Sequence, residues 1–253
     1  MNKDKEEMIF KRRLLDLAIM TEKRDICTYA DFLNQNEISI FHSIRNELPK
    51  VNYELFGGYD GAERKILCFY GDNSVKAFSS YIACIRILPV QKKFSDDLNH
   101  RDFLGAIMNL GIERSLIGDI LVKDKEGYVF LKSSIATFIM DNLSKIKHTT
   151  IKCELVEEDA PEIKPKFETI RGTIASERLD AIIAMAFKAS RSSILPLISG
   201  GKVFVDGKLI ESNSYMLKED ETVSVRGYGK FIYKGLETQT KKGRYYVSLL
   251  KYV

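Results

Sequence analysis

The chain has 253 residues, enough for two or three domains. Its composition, 45% hydrophobic and 29% charged, excludes a mainly disordered protein. No apolar run reaches the roughly 18 to 20 residues that cross a bilayer. The first seven residues mix both charge signs, which a signal peptide does not. These features predict a cytoplasmic protein without a membrane partner.

The N-terminal segment predicts an α/β domain over residues 1–77. Apolar residues recur at helical spacing over residues 5–20 and again over residues 36–48, where Pro49 ends the helix. Residues 52–56 and 65–70 are typical of strands, and a glycine-rich bend joins them.

The central segment, residues 78–156, predicts a ferredoxin-like, RRM-like domain. The expected elements alternate in the order β-α-β-β-α-β: strand 81–90, helix 102–109, strands 119–123 and 128–131, helix 133–145 with a serine cap, and strand 149–156. Residues 157–168 follow as a linker, because they hold two prolines among clustered charges. Together with the other domains this gives an α+β fold class.

The C-terminal segment, residues 169–253, predicts a compact module of two helices and short strands. The first helix opens near Ser176, and Ser190 caps the second, which Gly200-Gly201 ends. Short strands follow around a tight turn at Asp206-Gly207, and a β-hairpin is expected at the C-terminus.

The positive charge of the chain is concentrated in this last segment. Residues 167–253 contain 14 Lys and Arg against 9 Asp and Glu, whereas the preceding 166 residues contain 25 basic and 26 acidic groups. A basic surface confined to one domain indicates a polyanionic partner such as RNA.

Ser190-Arg191-Ser192 is the leading candidate for an RNA contact. A helix start already favours anions, and a guanidinium fork matches phosphate oxygens. Arg178 on the preceding helix and a basic track extend this candidate site: Lys202, Arg226 and Lys230. The alternative is a capped helix with solvated arginines. Pro196 lies inside the helix that presents Arg191 and is expected to kink it.

Short motifs in fixed order resemble the RNA-binding domain first described in ribosomal protein S4. They are Arg178-Leu179-Asp180, Ser190-Arg191-Ser192, Leu197-Ile198, Gly201-Lys202-Val203, Val205-Asp206-Gly207 and Val223-Ser224-Val225-Arg226-Gly227. The resemblance implies that the two helices and the following loop grip structured RNA through its backbone. The implied contacts are Arg178, Ser190, Arg191, Ser192, Lys202 and Arg226.

The segment from His100 to Ile120 offers a second candidate site. His100 and Asp102 are two residues apart and could suggest acid–base chemistry, but a capped helix start is the favoured interpretation because no third catalytic partner is evident. This stretch resembles the bacterial YlmH family of RNA-binding proteins, as do Gly57-Gly58 and Ala62-Glu63-Arg64. We expect His100, Arg101 and Arg114 to form a second RNA or ribosome contact.

Membership of that family would imply a non-catalytic factor of ribosome-associated quality control, often encoded beside cell-division genes. It would bind rRNA and tRNA on large ribosomal subunits obstructed by peptidyl-tRNA, with the peptidyl-tRNA tailing factor as a partner. The four cysteines are scattered among apolar neighbours, so the sequence predicts no metal site. We also expect a monomer without a cofactor.

Two other function classes stay open at this point. Pseudouridine synthases carry the same small domain and also an Arg-Leu-Asp motif, which Arg178-Leu179-Asp180 resembles. However, only a hairpin follows the module here, where those enzymes place a catalytic domain. A scaffold at the division site is the third class. The C-terminal aromatics that alternate with basic residues could stack on bases or fill a core.

Overall fold

The computed structural model describes residues 2–72, 78–156, 167–241 and 243–252. It divides into two compact units, Met1–Ile163 and Lys164–Val253. Both units mix helices and strands, which confirms the predicted α+β class. Residues 157–166 of the predicted linker lie outside the described residues.

The N-terminal part of the first unit is a three-stranded antiparallel sheet with two helices. In chain order its elements are α1 (Asn2–Arg24), β1 (Thr28–Leu33), α2 (Gln35–Ser43), β2 (Asn52–Phe56) and β3 (Lys65–Tyr70), and the strand order is β1-β3-β2. Leu14, Phe41 and Phe69 are fully buried in its core. The helix predicted over 36–48 ends at Ser43, and a 3-10 turn follows at Arg45–Glu47.

The rest of the first unit has the predicted ferredoxin-like order of elements. They are α3 (Phe78–Tyr81), β4 (Ile82–Pro89), α4 (His100–Met108), β5 (Ile117–Lys123), β6 (Glu126–Lys132), α5 (Ala136–Asn142), β7 (Lys145–Ile146) and β8 (Thr149–Val156). The strand order is β5-β6-β4-β8-β7, antiparallel throughout. Helices α4 and α5 cover one face, where Phe103, Ile107 and Ile139 are fully buried.

Two details of the second central helix differ from the prediction. A 3-10 turn at Ser133–Ile135 precedes α5, and no side chain caps the start of either element, so the predicted serine cap is wrong. The helical spacing of Phe138 with Ile135 and Ile139 predicts that it faces inward, but Phe138 is 47% exposed. Because α5 has only seven residues, its short buried stripe accommodates Ala136 and Ile139 but not the ring.

The other face of the central sheet packs against the N-terminal sheet. Phe32 and Ile66 from the N-terminal sheet share a buried cluster with Tyr128 and Phe130 of β6. The Tyr59 ring stacks on Phe130 with 4.8 Å between centroids. The two sheets therefore form one compact unit, and its division at residue 77 stays a prediction.

The second unit contains a six-stranded antiparallel sheet covered by two helices. Its elements are β9 (Phe167–Ile174), α6 (Leu179–Ala186), α7 (Arg191–Ser199), β10 (Val203–Val205), β11 (Lys208–Leu209), β12 (Thr222–Val225), β13 (Gly229–Gln239) and β14 (Tyr245–Tyr252). The strand order is β11-β10-β12-β13-β14-β9. The terminal hairpin is confirmed. Phe167 and Glu168, assigned to the linker, instead belong to β9, because β9 pairs with β14 along its whole length.

Helix α6 is almost entirely buried, and α7 buries Ile194 and Ile198 against the same core. Helix α7 runs through Pro196 as a single element. Among the described residues, no single helix has the length and hydropathy to cross a membrane. Helices α6 and α7 meet that test only as a pair, which is bent by 119°.

Candidate nucleic-acid interface

The start of α7 is built by Ser190. Its extended backbone ends the loop, and its Oγ accepts a hydrogen bond from the Ser193 backbone N–H at 3.2 Å. The Ser190 and Ser192 hydroxyls are also hydrogen-bonded at 2.8 Å. The predicted cap is thus present. Arg191 is the first residue of the helix and is exposed, at the end where the helix dipole favours an anion.

Arg178 stands at the start of α6 and is held by a buried carboxylate. Its Nε donates to Asp180 Oδ1 at 3.0 Å and its Nη2 to Asp180 Oδ2 at 3.3 Å. The Arg178 side chain is 42% exposed, whereas that of Asp180 is 5% exposed. This hydrogen bonding raises the pKa of Arg178. Asp180 therefore fixes the direction of a permanently charged guanidinium at the surface.

The ends of β10 and β12 bring Lys202 and Arg226 together. The Arg226 backbone N–H donates to the Lys202 carbonyl at 2.9 Å, and both side chains are exposed. The Arg226 guanidinium lies over the Phe204 ring, 4.9 Å from its centroid. Lys230 follows on β13, opposite Ser224, with its Nζ 5.4 Å from the Tyr252 ring centroid.

These residues occupy two regions of the C-terminal unit. The ring of Phe187, in the loop before α7, contacts Tyr228 in the turn that follows Arg226, with 5.6 Å between centroids. The loop before α7 and the β12–β13 turn are therefore neighbours. Arg178 lies at the far end of α6, roughly 13 Å along the helix axis from Phe187. A single groove joining all of them stays a prediction.

The alternating aromatic residues fall into two groups. Phe231 and Tyr233 are fully buried in the core, whereas Tyr228 is 45% and Tyr246 47% exposed. The Tyr233 hydroxyl donates to Glu177 Oε1 at 2.7 Å, which ties β13 to the start of α6. Strand alternation alone did not separate these groups, because Tyr228 lies in a turn.

Arg114, a predicted second contact, is bonded to the interior of its own unit. Its Nη1 donates to the Ile117 carbonyl at 2.5 Å and to the Gly118 carbonyl at 3.2 Å. Arg64 Nε donates to the same Ile117 carbonyl at 2.9 Å. Burial and the charge of Arg64 lower the pKa of Arg114 to about 10. The hydrogen bonds of Arg114 give it a structural role that the prediction lacked.

Asp119 connects the glycine-rich bend with the region of Arg64 and Arg114. It accepts hydrogen bonds from the Tyr59 hydroxyl at 2.8 Å and from the backbone N–H groups of Glu63 at 2.7 Å and Arg64 at 3.1 Å. Sequence reasoning singled out the two stretches separately but missed their contact. Their separation of about 55 residues leaves no periodic signal.

His100 and Arg101 lie in the first turn of α4, beside a capping box of Asn99 and Asp102. This confirms the capped helix start. Partial desolvation and the nearby charge of Arg114 lower the pKa of His100, which favours its neutral imidazole. Arg101 is exposed and lines a surface cavity of about 440 Å³ between α4 and β7. Within the described part of the chain, no cluster of His, Cys, Asp and Glu could hold a metal ion.

Comparison with known proteins assigns both parts of the chain. Residues 79–160 match the family model described as "Putative RNA-binding domain in YlmH", and residues 177–223 match the S4 domain. Over 246 residues the chain is 27% identical to "Ribosome-associated protein quality control protein P2" of Bacillus subtilis strain 168, covering 96% of this chain and 95% of that protein. The chain therefore contains a segment similar to the RNA-binding domain of YlmH and a segment similar to the S4 domain.

A solved structure, cell division protein ylmH from Streptococcus pneumoniae, is 23% identical. The match covers 60% of this chain and 91% of that one, with a TM-score of 0.49.

The family matches divide the candidate residues unequally. The YlmH domain match contains His100, Arg101 and Arg114. The S4 match contains Arg178, Ser190, Arg191, Ser192 and Lys202 but ends at residue 223. Arg226 and Lys230, and the turn between them, therefore lie beyond the S4 match.

Proposed function

We propose that this chain is a non-catalytic RNA-binding protein whose C-terminal unit grips structured RNA through its phosphate backbone. The observation that carries this proposal is the set of exposed basic side chains on this unit, with Arg191 at the capped start of α7 and Lys202 and Arg226 at the ends of two paired strands. The helix start and the guanidinium groups both suit phosphate oxygens.

The RNA partners in this proposal are rRNA and tRNA on the large ribosomal subunit. The match covers 95% of the length of the Bacillus subtilis relative. The name of that relative supports a role in ribosome-associated quality control. In this role the protein is a cytoplasmic monomer that binds large subunits obstructed by peptidyl-tRNA. Its partner there is the tailing factor that extends the stalled chain.

Charge reversal tests the RNA-binding surface. The double variant Arg191→Glu/Arg226→Glu is expected to lose co-sedimentation with purified large subunits, because it places two carboxylates against phosphates. The control Arg24→Glu/Arg171→Glu changes the net charge equally at exposed arginines on α1 and β9 and should still sediment. Unchanged sedimentation of the folded Arg191/Arg226 variant would contradict the proposal.

The preference for obstructed subunits is tested with two preparations of large subunits, one empty and one holding peptidyl-tRNA. The protein is expected to bind the obstructed subunits more tightly, and equal affinity would remove the quality-control part of the proposal.

The non-catalytic part of the proposal is tested by mapping modified nucleotides. Both carboxylate oxygens of the buried Asp180 accept from Arg178, which supports a structural role for that residue. Incubation with ribosomal RNA is therefore expected to leave every nucleotide unmodified. A modification that depends on the protein would overturn this part.

A further inference from the structure

The turn between β12 and β13 exposes the Tyr228 side chain to solvent. Val225 and Gly229 are paired across the hairpin, and the Tyr228 backbone N–H donates to the Val225 carbonyl at 3.0 Å. Gly227 has φ of +87° and Gly229 of +126°, values that side chains other than hydrogen rarely tolerate. The turn therefore has a defined backbone, and it leaves Tyr228 45% exposed.

The Tyr228 ring packs against Phe187, which in turn contacts the hydrophobic core. Its edge meets Phe187 at an interplanar angle of 62°, and Phe187 in turn packs on the fully buried Phe231 with 5.9 Å between centroids. An aromatic side chain held in this way loses little conformational entropy when a ligand packs against it. A large exposed ring on a rigid support is suited to stacking.

Two basic side chains lie in the same region of the C-terminal unit as this ring. Lys251 Nζ lies 5.5 Å from the Phe187 centroid, and the exposed Arg226 precedes Tyr228 by two residues. Single-stranded nucleic acids are bound by this combination, in which cations hold the backbone while aromatic rings stack on bases. The chemistry therefore favours a nucleobase over an apolar protein side chain.

We infer that Tyr228 is a stacking platform for one unpaired base of the bound RNA. This inference rests on the proposed RNA-binding function and adds to it a preference for RNA with a bulged or looped-out nucleotide next to a helix. Stacking on one aromatic residue corresponds to roughly 5- to 150-fold in affinity.

Two hairpin RNAs with the same stem test the inference on the full chain. One stem is fully paired, and the other carries a single bulged 2-aminopurine, whose emission is quenched when it stacks. The wild-type protein is expected to bind the bulged RNA about tenfold more tightly and to quench its emission. Tyr228→Phe should keep both effects, and Tyr228→Ala should bind the two RNAs equally without quenching.

Two further variants separate the possible failures. Tyr246→Ala removes an equally exposed tyrosine from β14 and should behave as wild type. Arg191→Glu should weaken binding of both RNAs. If Arg191→Glu does so but Tyr228→Ala still prefers and quenches the bulged RNA, the stacking inference is overturned while the proposed function stands. If the wild-type protein binds neither RNA, both are overturned.

Discussion

Replacement of Asp119 by alanine should strongly destabilise the first unit. The change removes three hydrogen bonds to one carboxylate, from Tyr59 and from the backbone of Glu63 and Arg64. It also removes a carboxylate that interacts favourably with the charges of Arg64 and Arg114. Hydrogen bonds to charged groups contribute about 1.5–3 kcal/mol each, but they are coupled here. We expect a loss of about 3–5 kcal/mol in the free energy of unfolding.

Circular dichroism during urea and thermal unfolding measures this loss. For a unit of this size the expected change lowers the unfolding midpoint by roughly 10 °C. Asp119→Asn should lie between the wild type and the alanine variant, because the amide keeps one acceptor oxygen. Asp141→Ala, at an exposed position on α5, is the control. A loss below about 1 kcal/mol for Asp119→Ala would refute the structural role of this network.

Three further outcomes follow from the geometry. Arg226→Ala should lower the slope of log affinity against log salt by about 1 in RNA titrations, because one phosphate contact is lost. Ser190→Ala should cost about 1 kcal/mol in urea unfolding of the second unit, since it removes the α7 cap. Burial raises the pKa of Asp31, but hydrogen bonds from Arg13 and Lys132 outweigh it and hold the pKa below its ordinary value. Its stabilising contribution should therefore be present at neutral pH and disappear as acid titration protonates the folded carboxylate.

The central part of the first unit was predictable because each of its elements has its own local pattern. Strand β4 alternates isoleucines such as Ile85 and Ile87 toward the helices, and α4 repeats Phe103 and Ile107 at helical spacing. The capped start of α7 was predictable for a similar reason, because a serine before an apolar run is a local signal.

Strands β1 and β9 were missed because their patterns are weak. Strand β1 contains Ala30 and Asp31, and its register shifts between Tyr29 and Phe32, so the alternation is interrupted. Strand β9 lies at a sheet edge and is largely polar, and only at its end does Ile174 become buried. Pairing with β14, which lies about 80 residues later, determines its structure, and no local propensity encodes that partner.

The ferredoxin-like order in the central part of the first unit would by itself point to a sheet face that is covered in this structure. Modules of this fold commonly stack bases on aromatic residues of the open sheet face. Here Phe130 on that face is 1% exposed, because Tyr59 stacks on it and Gly58 approaches its ring. The approach is so close that a Cβ at Gly58 would lie 2.4 Å from Phe130 Cδ1. An RNA base could reach this ring only if the glycine-rich bend moved away, and Asp119 hydrogen-bonds that bend in place. The exposed Arg101 in the first turn of α4 is therefore a better candidate for an RNA contact of the first unit than the sheet aromatics.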